Sequence, residues 1–370
     1  MTKALFFYGS LRDLSLLDIV LGRPLPAIEV TPTHLDNFAV FGVKEGPFPM
    51  LVAQQGAAAD GVLVSGLTDH DIDRLNFYEG GFSYDLIQVT LANGTSAQVY
   101  FCPPQTWTKT TPWDFDVWAD DWADMSRFAA EEVMGHYGKI TASEVAEMFG
   151  QIRARAWSKV LAQQPKTSQE VFAGDVEIRQ KSRAYTGYFA VDEINVRHAQ
   201  FDGSMSPVMP RSYFVAGDAA LVLPYDPVRD RVLLVEQIRM GPLGRSDPEI
   251  WHLEPIAGRI DPGESAEQTA RREAVEESGL ALNALETVST GYSSPGDSTG
   301  YFHIFVGVTD LPDETAGVGG LASEHENIRS RLISFDKFFD LAETQALANT
   351  PVTLLAYWLA HHRSRLRSAV

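Results

Sequence analysis

Seven residues between Gly258 and Gly279 have types and spacing that can do chemistry. Gly258, Glu264, Arg272, Glu273, Glu276, Glu277 and Gly279 follow the pattern Gly-x5-Glu-x7-Arg-Glu-U-x-Glu-Glu-x-Gly-U, where U is apolar, and every position is filled. With glycine near 7% and each charged type roughly 6% of residues, this coincidence is expected on the order of once per million chains of such length. Hard carboxylate oxygens in a cluster are what Mg2+ or Mn2+ needs when it also holds substrate phosphates. The bland alternative is a solvated acidic helix face. A like-charge pair four residues apart costs only about 0.2–0.5 kcal/mol, so the full spacing, rather than repulsion, argues against it.

The element that must position these carboxylates is a helix. Ser265 can cap its start, with Gln268 reaching back as a capping box, and Gly279 can close it in the left-handed conformation. On that helix Glu273, Glu276 and Glu277 share a face, with Glu264 just before the first turn.

The stretch resembles the Nudix box. The resemblance extends over residues 174–365 through EQIR (236–239), LEPIAG (253–258), SPG (294–296), GLASEHENIR (320–329) and AYWLAHH (356–362), and points to the ADP-ribose pyrophosphatase branch of the Nudix hydrolases. It implies that Glu273 and Glu277 bind metal with the Ala257 carbonyl, assisted by Glu264 and Glu276. Glu324 matches the family's catalytic base, with Glu326 as a neighbour. Arg239 matches an arginine that grips the diphosphate or ribose. Arg211, supplied by the other subunit, Glu254 and Pro295 complete the substrate contacts. Gly300 stands where many members carry a glutamate, which shifts the burden of base to Glu324. Arg272 is read as orienting the carboxylates. Tyr188 and Phe189 are read as strand aromatics of the core, with stacking on adenine as the alternative.

The implied reaction is hydrolysis of ADP-ribose to AMP and ribose 5-phosphate with Mg2+, or Mn2+, as cofactor. A GDP-sugar or dinucleoside polyphosphate is the alternative substrate, and an ADP-ribose-sensing module is the alternative outside enzymes. The family also implies a homodimer that exchanges N-terminal strands.

A second constellation lies near the start. KALFFY (3–8) reads as a buried strand ending in Tyr8-Gly9-Ser10-Leu11, and a glycine directly after a strand lets successive N–H groups converge on an anion. About seventy residues later a short helix leads into Phe77-Tyr78-Glu79-Gly80-Gly81, followed by Tyr84. Together these resemble the gamma-glutamylcyclotransferase superfamily in its AIG2-like branch, over residues 3–102. The resemblance implies that the Tyr8, Gly9, Ser10 and Leu11 loop holds the γ-glutamyl carboxylate and amine through backbone groups. Glu79 then takes a proton from the α-amine, which attacks its own γ-carbonyl and releases 5-oxoproline. A domain of the same fold without that activity is the alternative.

Segments 38–43, 61–67, 85–91 and 97–102 read as further strands of this first part, and the pattern turns helical from Trp107 to about Ala162. There Trp118 and Trp122 open an apolar stripe that is core rather than a cofactor box. A polar linker follows at 163–168. In the second part, 174–198 reads as two strands, 219–239 as a hairpin turning at Asp226–Asp230, and 350–365 as a closing helix.

The whole chain bounds these readings. Its 370 residues are 45% hydrophobic, enough for two cores. A formal net charge of −19, shared by both halves, excludes the basic footprint of a nucleic-acid binder. Cys102 is the sole cysteine, and the sequence shows neither a signal-peptide pattern nor a membrane-spanning run, so a cytoplasmic protein acting on a small nucleoside diphosphate is expected. The expected architecture is α+β and multi-domain. A cyclotransferase-like mixed β-barrel occupies 1–106, a helical extension and linker 107–168, and a Nudix α/β/α sandwich 169–370.

Overall fold

The computed structural model describes residues 3–23, 28–81, 84–103, 105–164, 174–319 and 327–369. The chain forms two compact units, Met1–Glu170 and Val171–Val370.

The first unit is built on β1 (Lys3–Phe7), α1 (Leu14–Leu21), β2 (Glu29–Val43), β3 (Gly46–Leu67), α2 (Asp69–Gly80), β4 (Asp85–Thr90), β5 (Ser96–Phe101) and β6 (Lys109–Pro112). The helices α3 (Phe115–Gly135), α4 (Ala142–Glu147) and α5 (Phe149–Ala162) follow. Its sheet runs β4-β5-β1-β3-β2-β6, with β1 parallel to β5 and the other pairs antiparallel. The β2–β3 hairpin breaks register at Asn37 (φ 62°), whose Oδ1 accepts from the Gly56 amide at 3.0 Å. Such an irregularity bends a long hairpin and lets the sheet curl. One face of the sheet, through Leu5, Phe7, Val64 and Leu67, packs on α1, α2, α3 and α5. Three expectations change here. The hairpin strands are far longer than 38–43 and 61–67, β6 lies inside the stretch read as helical, and α2 continues through Glu79 rather than ending before it.

The second unit begins with a three-stranded antiparallel sheet, β7 (Val176–Thr186), β8 (Ala190–His198) and β9 (Met209–Val215). Then come β10 (Asp218–Asp226), β11 (Arg231–Ile238), α6 (Met240–Arg245), β12 (Trp251–Glu254), β13 (Ile256–Arg259), α7 (Ala266–Ser278), β14 (Ala284–Tyr292), β15 (Tyr301–Val308), β16 (Val318–Gly319), β17 (Ile328–Ser334), α8 (Phe335–Glu343) and α9 (Thr350–Ser368). The large sheet runs β14-β15-β10-β11-β17-β16, with β12 on β11 and β13 on β10. Its central strand β10 is buried almost throughout and β11 is buried from Val232 to Val235, as strands covered on both faces must be. Leu221, Leu223 and Tyr225 face α8 and α9, and alternation turns Ala220 and Val222 the other way. α7 packs on β13 and β10, giving helix, sheet and helix in layers. None of the described helices is long and apolar enough to cross a membrane.

Candidate active sites

α7 forms as its sequence dictates. Gln268 N–H donates to Ser265 Oγ at 3.2 Å while Ser265 N–H donates to Gln268 Oε1 at 2.7 Å, so the capping box is closed from both sides. Gly263 (φ 88°) makes the turn into the helix, and Gly279 (φ 69°) ends it. Thirteen residues are thereby fixed, and the carboxylates take their places on one face.

Arg272 stands at the centre of them. Its Nε and Nη2 donate to the two oxygens of Glu264, each at 2.9 Å, and its Nη1 donates to Glu273 Oε1 at 2.7 Å and Glu276 Oε2 at 2.9 Å. Nη2 also reaches the Arg259 carbonyl at 3.2 Å. The surrounding carboxylates, Glu264 first, push the guanidinium pKa up. Glu264 is held below the usual carboxylate range: burial raises it, but the bonds from Arg272 and from Thr269 Oγ1, at 2.7 Å, outweigh that. Glu277, 3% exposed, completes the same helix face.

The β13 strand leaves room for this cluster. A Cβ on Gly258 would lie 1.7 Å from Glu273 Oε1, so only glycine lets the carboxylate rest there. Ala257, the neighbouring residue, pairs with Leu221 of β10, which fixes the direction of its carbonyl. Hard oxygens held by a neutralising arginine, beside a glycine that clears their space, suit a divalent cation. Among the described residues, no three His, Cys, Asp or Glu side chains converge as a ready-made cage, since Arg272 lies between them.

Arg239 follows β11 and donates through Nε to Glu254 Oε2 at 2.7 Å. Asn349, the N-cap of α9, donates to the other oxygen of Glu254 at 3.1 Å and accepts from Val352 N–H at 3.2 Å. Glu254 is therefore a buried carboxylate gripped from two sides, and it aims the Arg239 guanidinium. Asn349 was not among the expected residues, although Asn-Thr-Pro before an apolar run is a readable helix start.

Arg211 lies on β9 and bonds to the Pro210 carbonyl and the Met209 sulfur on its own strand. The exposed Pro295 loop is tied to that strand by Phe214 N–H to the Asp297 carbonyl, 2.7 Å, and Thr299 N–H to the Phe214 carbonyl, 3.0 Å. Within one chain neither residue joins the carboxylate cluster by a described bond. Gly300 is buried, and a Cβ there would meet Ser293 Oγ at 3.0 Å, so a larger residue would need its serine neighbours to give way. Glu324 and Glu326 lie outside the described residues.

One expectation is overturned. Tyr188 and Phe189 belong to no core: they sit in the tight connection between β7 and β8, 64% and 58% exposed, with rings perpendicular at 4.9 Å. Arg259, next to Gly258, lies over the Tyr188 ring at 5.1 Å. A turn, rather than a strand, carries these rings, so alternation does not bury them.

The first unit holds a cavity of about 100 Å³, well above the roughly 10–15 Å³ that one water needs. The Tyr8–Leu11 loop forms one side. Gly9 is required by close approach, since a Cβ there would lie 2.8 Å from Pro49 Cγ. Ser10–Arg12 make a single 3-10 turn, and Asp13 caps α1 by accepting from Leu16 N–H at 2.7 Å. Arg127 of α3 clamps Asp13 with bonds of 2.6 and 3.1 Å, which pins the loop. Glu79, at the end of α2, faces the cavity among Tyr8, Tyr78, Tyr84 and Tyr100.

No described arginine or lysine pairs with Glu79. Its side chain keeps a partial opening to the cavity, yet protein surrounds the carboxyl, and burial raises its pKa to about 7. Burial and the nearby Glu79 charge together raise all four tyrosines. A carboxyl poised near neutrality in an aromatic pocket can act as a general base.

Comparison with known proteins finds a match in each half of the chain. A family model described as NUDIX domain matches residues 216–354, and one described as Gamma-glutamyl cyclotransferase, AIG2-like matches residues 5–123. An ADP-ribose pyrophosphatase of Escherichia coli (strain K12) is 39% identical over 194 residues, 52% of this chain and 92% of that protein. One from Haemophilus influenzae is 31% identical over 217 residues, covering 58% and 97%. A GDP-mannose pyrophosphatase of Cronobacter sakazakii is 30% identical over 150 residues, covering 40% and 78%. With its carboxylate helix intact and both families matched in sequence order, the chain belongs to the ADP-ribose pyrophosphatase branch of the Nudix hydrolases, enzymes that act on phosphoric anhydrides, and carries an AIG2-like cyclotransferase domain ahead of it.

Proposed function

We propose that the second unit hydrolyses ADP-ribose to AMP and ribose 5-phosphate. The observation that carries this is the carboxylate face of α7 organised around Arg272, with Gly258 clearing the place of Glu273. Glu273, Glu277, Glu264 and the Ala257 carbonyl would hold Mg2+ or Mn2+, with Glu276 assisting. A bound divalent ion supplies neutralisation of the diphosphate and acidification of a water. Arg239, aimed by Glu254 and Asn349, grips the diphosphate. The exposed Tyr188 and Phe189 offer a face for the base beside the box. Glu324 takes the remaining proton.

A homodimer belongs to the same reading. The three-stranded sheet exposes Val176, Ile178, Tyr185 and Phe214, apolar surface of the kind that marks an interface, and the partner would bring Arg211 to the substrate. The division at 1–106, 107–168 and 169–370 is retained as a functional one.

Product analysis tests the assignment: purified chain with Mg2+ is given ADP-ribose, NADH, GDP-mannose and diadenosine polyphosphates in parallel. ADP-ribose is expected to turn over fastest and to give AMP. Preference for GDP-mannose, the compound in the name of the Cronobacter relative, would replace the substrate but keep the hydrolase. No turnover of any diphosphate would leave a sensing module.

For the first unit the reading is a γ-glutamyl cyclotransferase with Glu79 as base and the Tyr8–Leu11 loop on the γ-glutamyl head. Its signature is a pH profile. Only deprotonated Glu79 accepts a proton, so kcat/KM for 5-oxoproline release should rise through about pH 7. An ordinary carboxylate would already have reached its plateau by about pH 5.5, and such an early plateau would remove Glu79 from the role. The same raised pKa has a stability consequence of fixed sign. Between the ordinary carboxyl range and about 7 the folded chain keeps a proton that the unfolded chain has lost, so this contribution to stability fades as pH rises through that window.

A further inference from the structure

Arg272 contacts the same carboxylates that the proposed site offers to a divalent ion, and it does so with two unlike ends. One end is anchored. Nε and Nη2 form a fork on the two oxygens of Glu264, each bond 2.9 Å, and Nη2 also donates to the Arg259 carbonyl at 3.2 Å, with Asp261 adding a longer ion pair at 3.9 Å. The other end reaches along the helix. Nη1 alone bridges Glu273 at 2.7 Å and Glu276 at 2.9 Å. Together these five hydrogen bonds use all five N–H donors of a guanidinium.

Three carboxylates converge here with side chains at most 30% exposed, so water screens their mutual repulsion poorly. A cation among them offsets that repulsion. The Nη1 end supplies it to Glu273 and Glu276 through single bonds from one nitrogen, a weaker grip than the paired fork on Glu264. Glu273 has a second support. Its carboxylate fills the space above Gly258, where a Cβ would lie 1.7 Å from Oε1, so β13 seats this side chain as well as Arg272 does. A divalent ion placed on Glu273 and Glu276 repels the guanidinium while it replaces the charge that Nη1 provides.

We propose that Arg272 is a resident counter-cation in exchange with the divalent ion: it keeps Glu264 and yields Glu273 and Glu276 as the ion binds. This rests on the metal-dependent reading of the carboxylate face. The measured ion affinity is then a difference between two sets of contacts, and lies below what the carboxylates would show without the guanidinium. The exchange favours divalent over monovalent ions, because a singly charged ion brings no more charge than Nη1 withdraws. Arg272 pivots about its Glu264 fork, so α7 keeps its place. An arginine that only orients the carboxylates has the opposite consequence, since its removal weakens ion binding.

The test is Mn2+ binding by the full chain, read from the EPR signal of free Mn2+ with no substrate present, for wild type, Arg272→Met and Arg272→Lys, beside melting temperatures in EDTA and in Mn2+. Arg272→Met should bind Mn2+ roughly 10-fold more tightly than wild type, the low end for loss of a competing charge-assisted hydrogen bond. Its melting temperature should fall in EDTA, where the three carboxylates face one another without the guanidinium, and should rise further than that of wild type when Mn2+ is added. Unchanged or weaker Mn2+ binding by Arg272→Met overturns the exchange and leaves Arg272 an orienting residue. Where Arg272→Met does not fold, Arg272→Lys decides. It keeps the charge with fewer bonds, so it should bind Mn2+ at least as tightly as wild type, and weaker binding overturns the exchange. Absence of Mn2+ binding by wild type overturns the metal reading of the face itself, and the exchange with it.

Discussion

Glu277→Gln is expected to lower ADP-ribose hydrolysis on the order of 10³-fold or more while the chain stays folded. The substitution keeps the shape of the side chain and removes its charge. Glu277 is 3% exposed in the last turn of α7, so no water-facing neighbour can take over its place. Charge neutralisation at a diphosphate supplies several kcal/mol of transition-state stabilisation, and about 4 kcal/mol corresponds to that factor. The measurement is kcat/KM at several Mg2+ concentrations beside the melting temperature. Activity within about tenfold of wild type would take Glu277 out of the site. A lowered melting temperature with the activity loss would point to a packing role.

How far the sequence revealed this site depends on how local each feature is. α7 was legible almost residue by residue because its caps and carboxylate spacing lie within one short stretch, and Ser265, Gln268 and Gly279 act on their own neighbours. The long β2–β3 hairpin was not: residues 53–60 have no alternation of apolar and polar types, and their strand comes from pairing with β2 across the bulge at Asn37. β9, α6 and α8 were likewise unread, since MPRSYFV and MGPLGR carry no periodic signal and FDKFFDLAE is too short to stand out.

In the functional residues the same divide holds. Glu79 could be singled out from its aromatic and glycine neighbours, but its pKa of about 7 comes from burial in a cavity to which the fold brings Tyr8 and Tyr100 from other parts of the chain. Tyr188 and Phe189 misled in the opposite way: they continue a strand-like pattern, yet Gly187 places them in a turn, where they are exposed.

Gly258→Ala should cost activity more than stability. A Cβ at this position would lie 1.7 Å from Glu273 Oε1 and 2.0 Å from its Cδ, an overlap that something must relieve. Two responses are open. β13 can shift away from β10, where Gly258 pairs with Ala220, or the Glu273 side chain can swing off its 2.7 Å bond with Arg272. The side chain is the softer of the two, so the fold should lose only about 1–2 kcal/mol, at the low end for an overpacked site. A displaced carboxylate is another matter, since a misplacement of about 1 Å can cost on the order of 10²-fold in rate. The double variant separates this account from general damage. If Gly258→Ala acts by moving Glu273, then adding Glu273→Gln should lower kcat/KM little further, although Glu273→Gln alone is severe; if the two losses multiply, the glycine serves something other than that carboxylate.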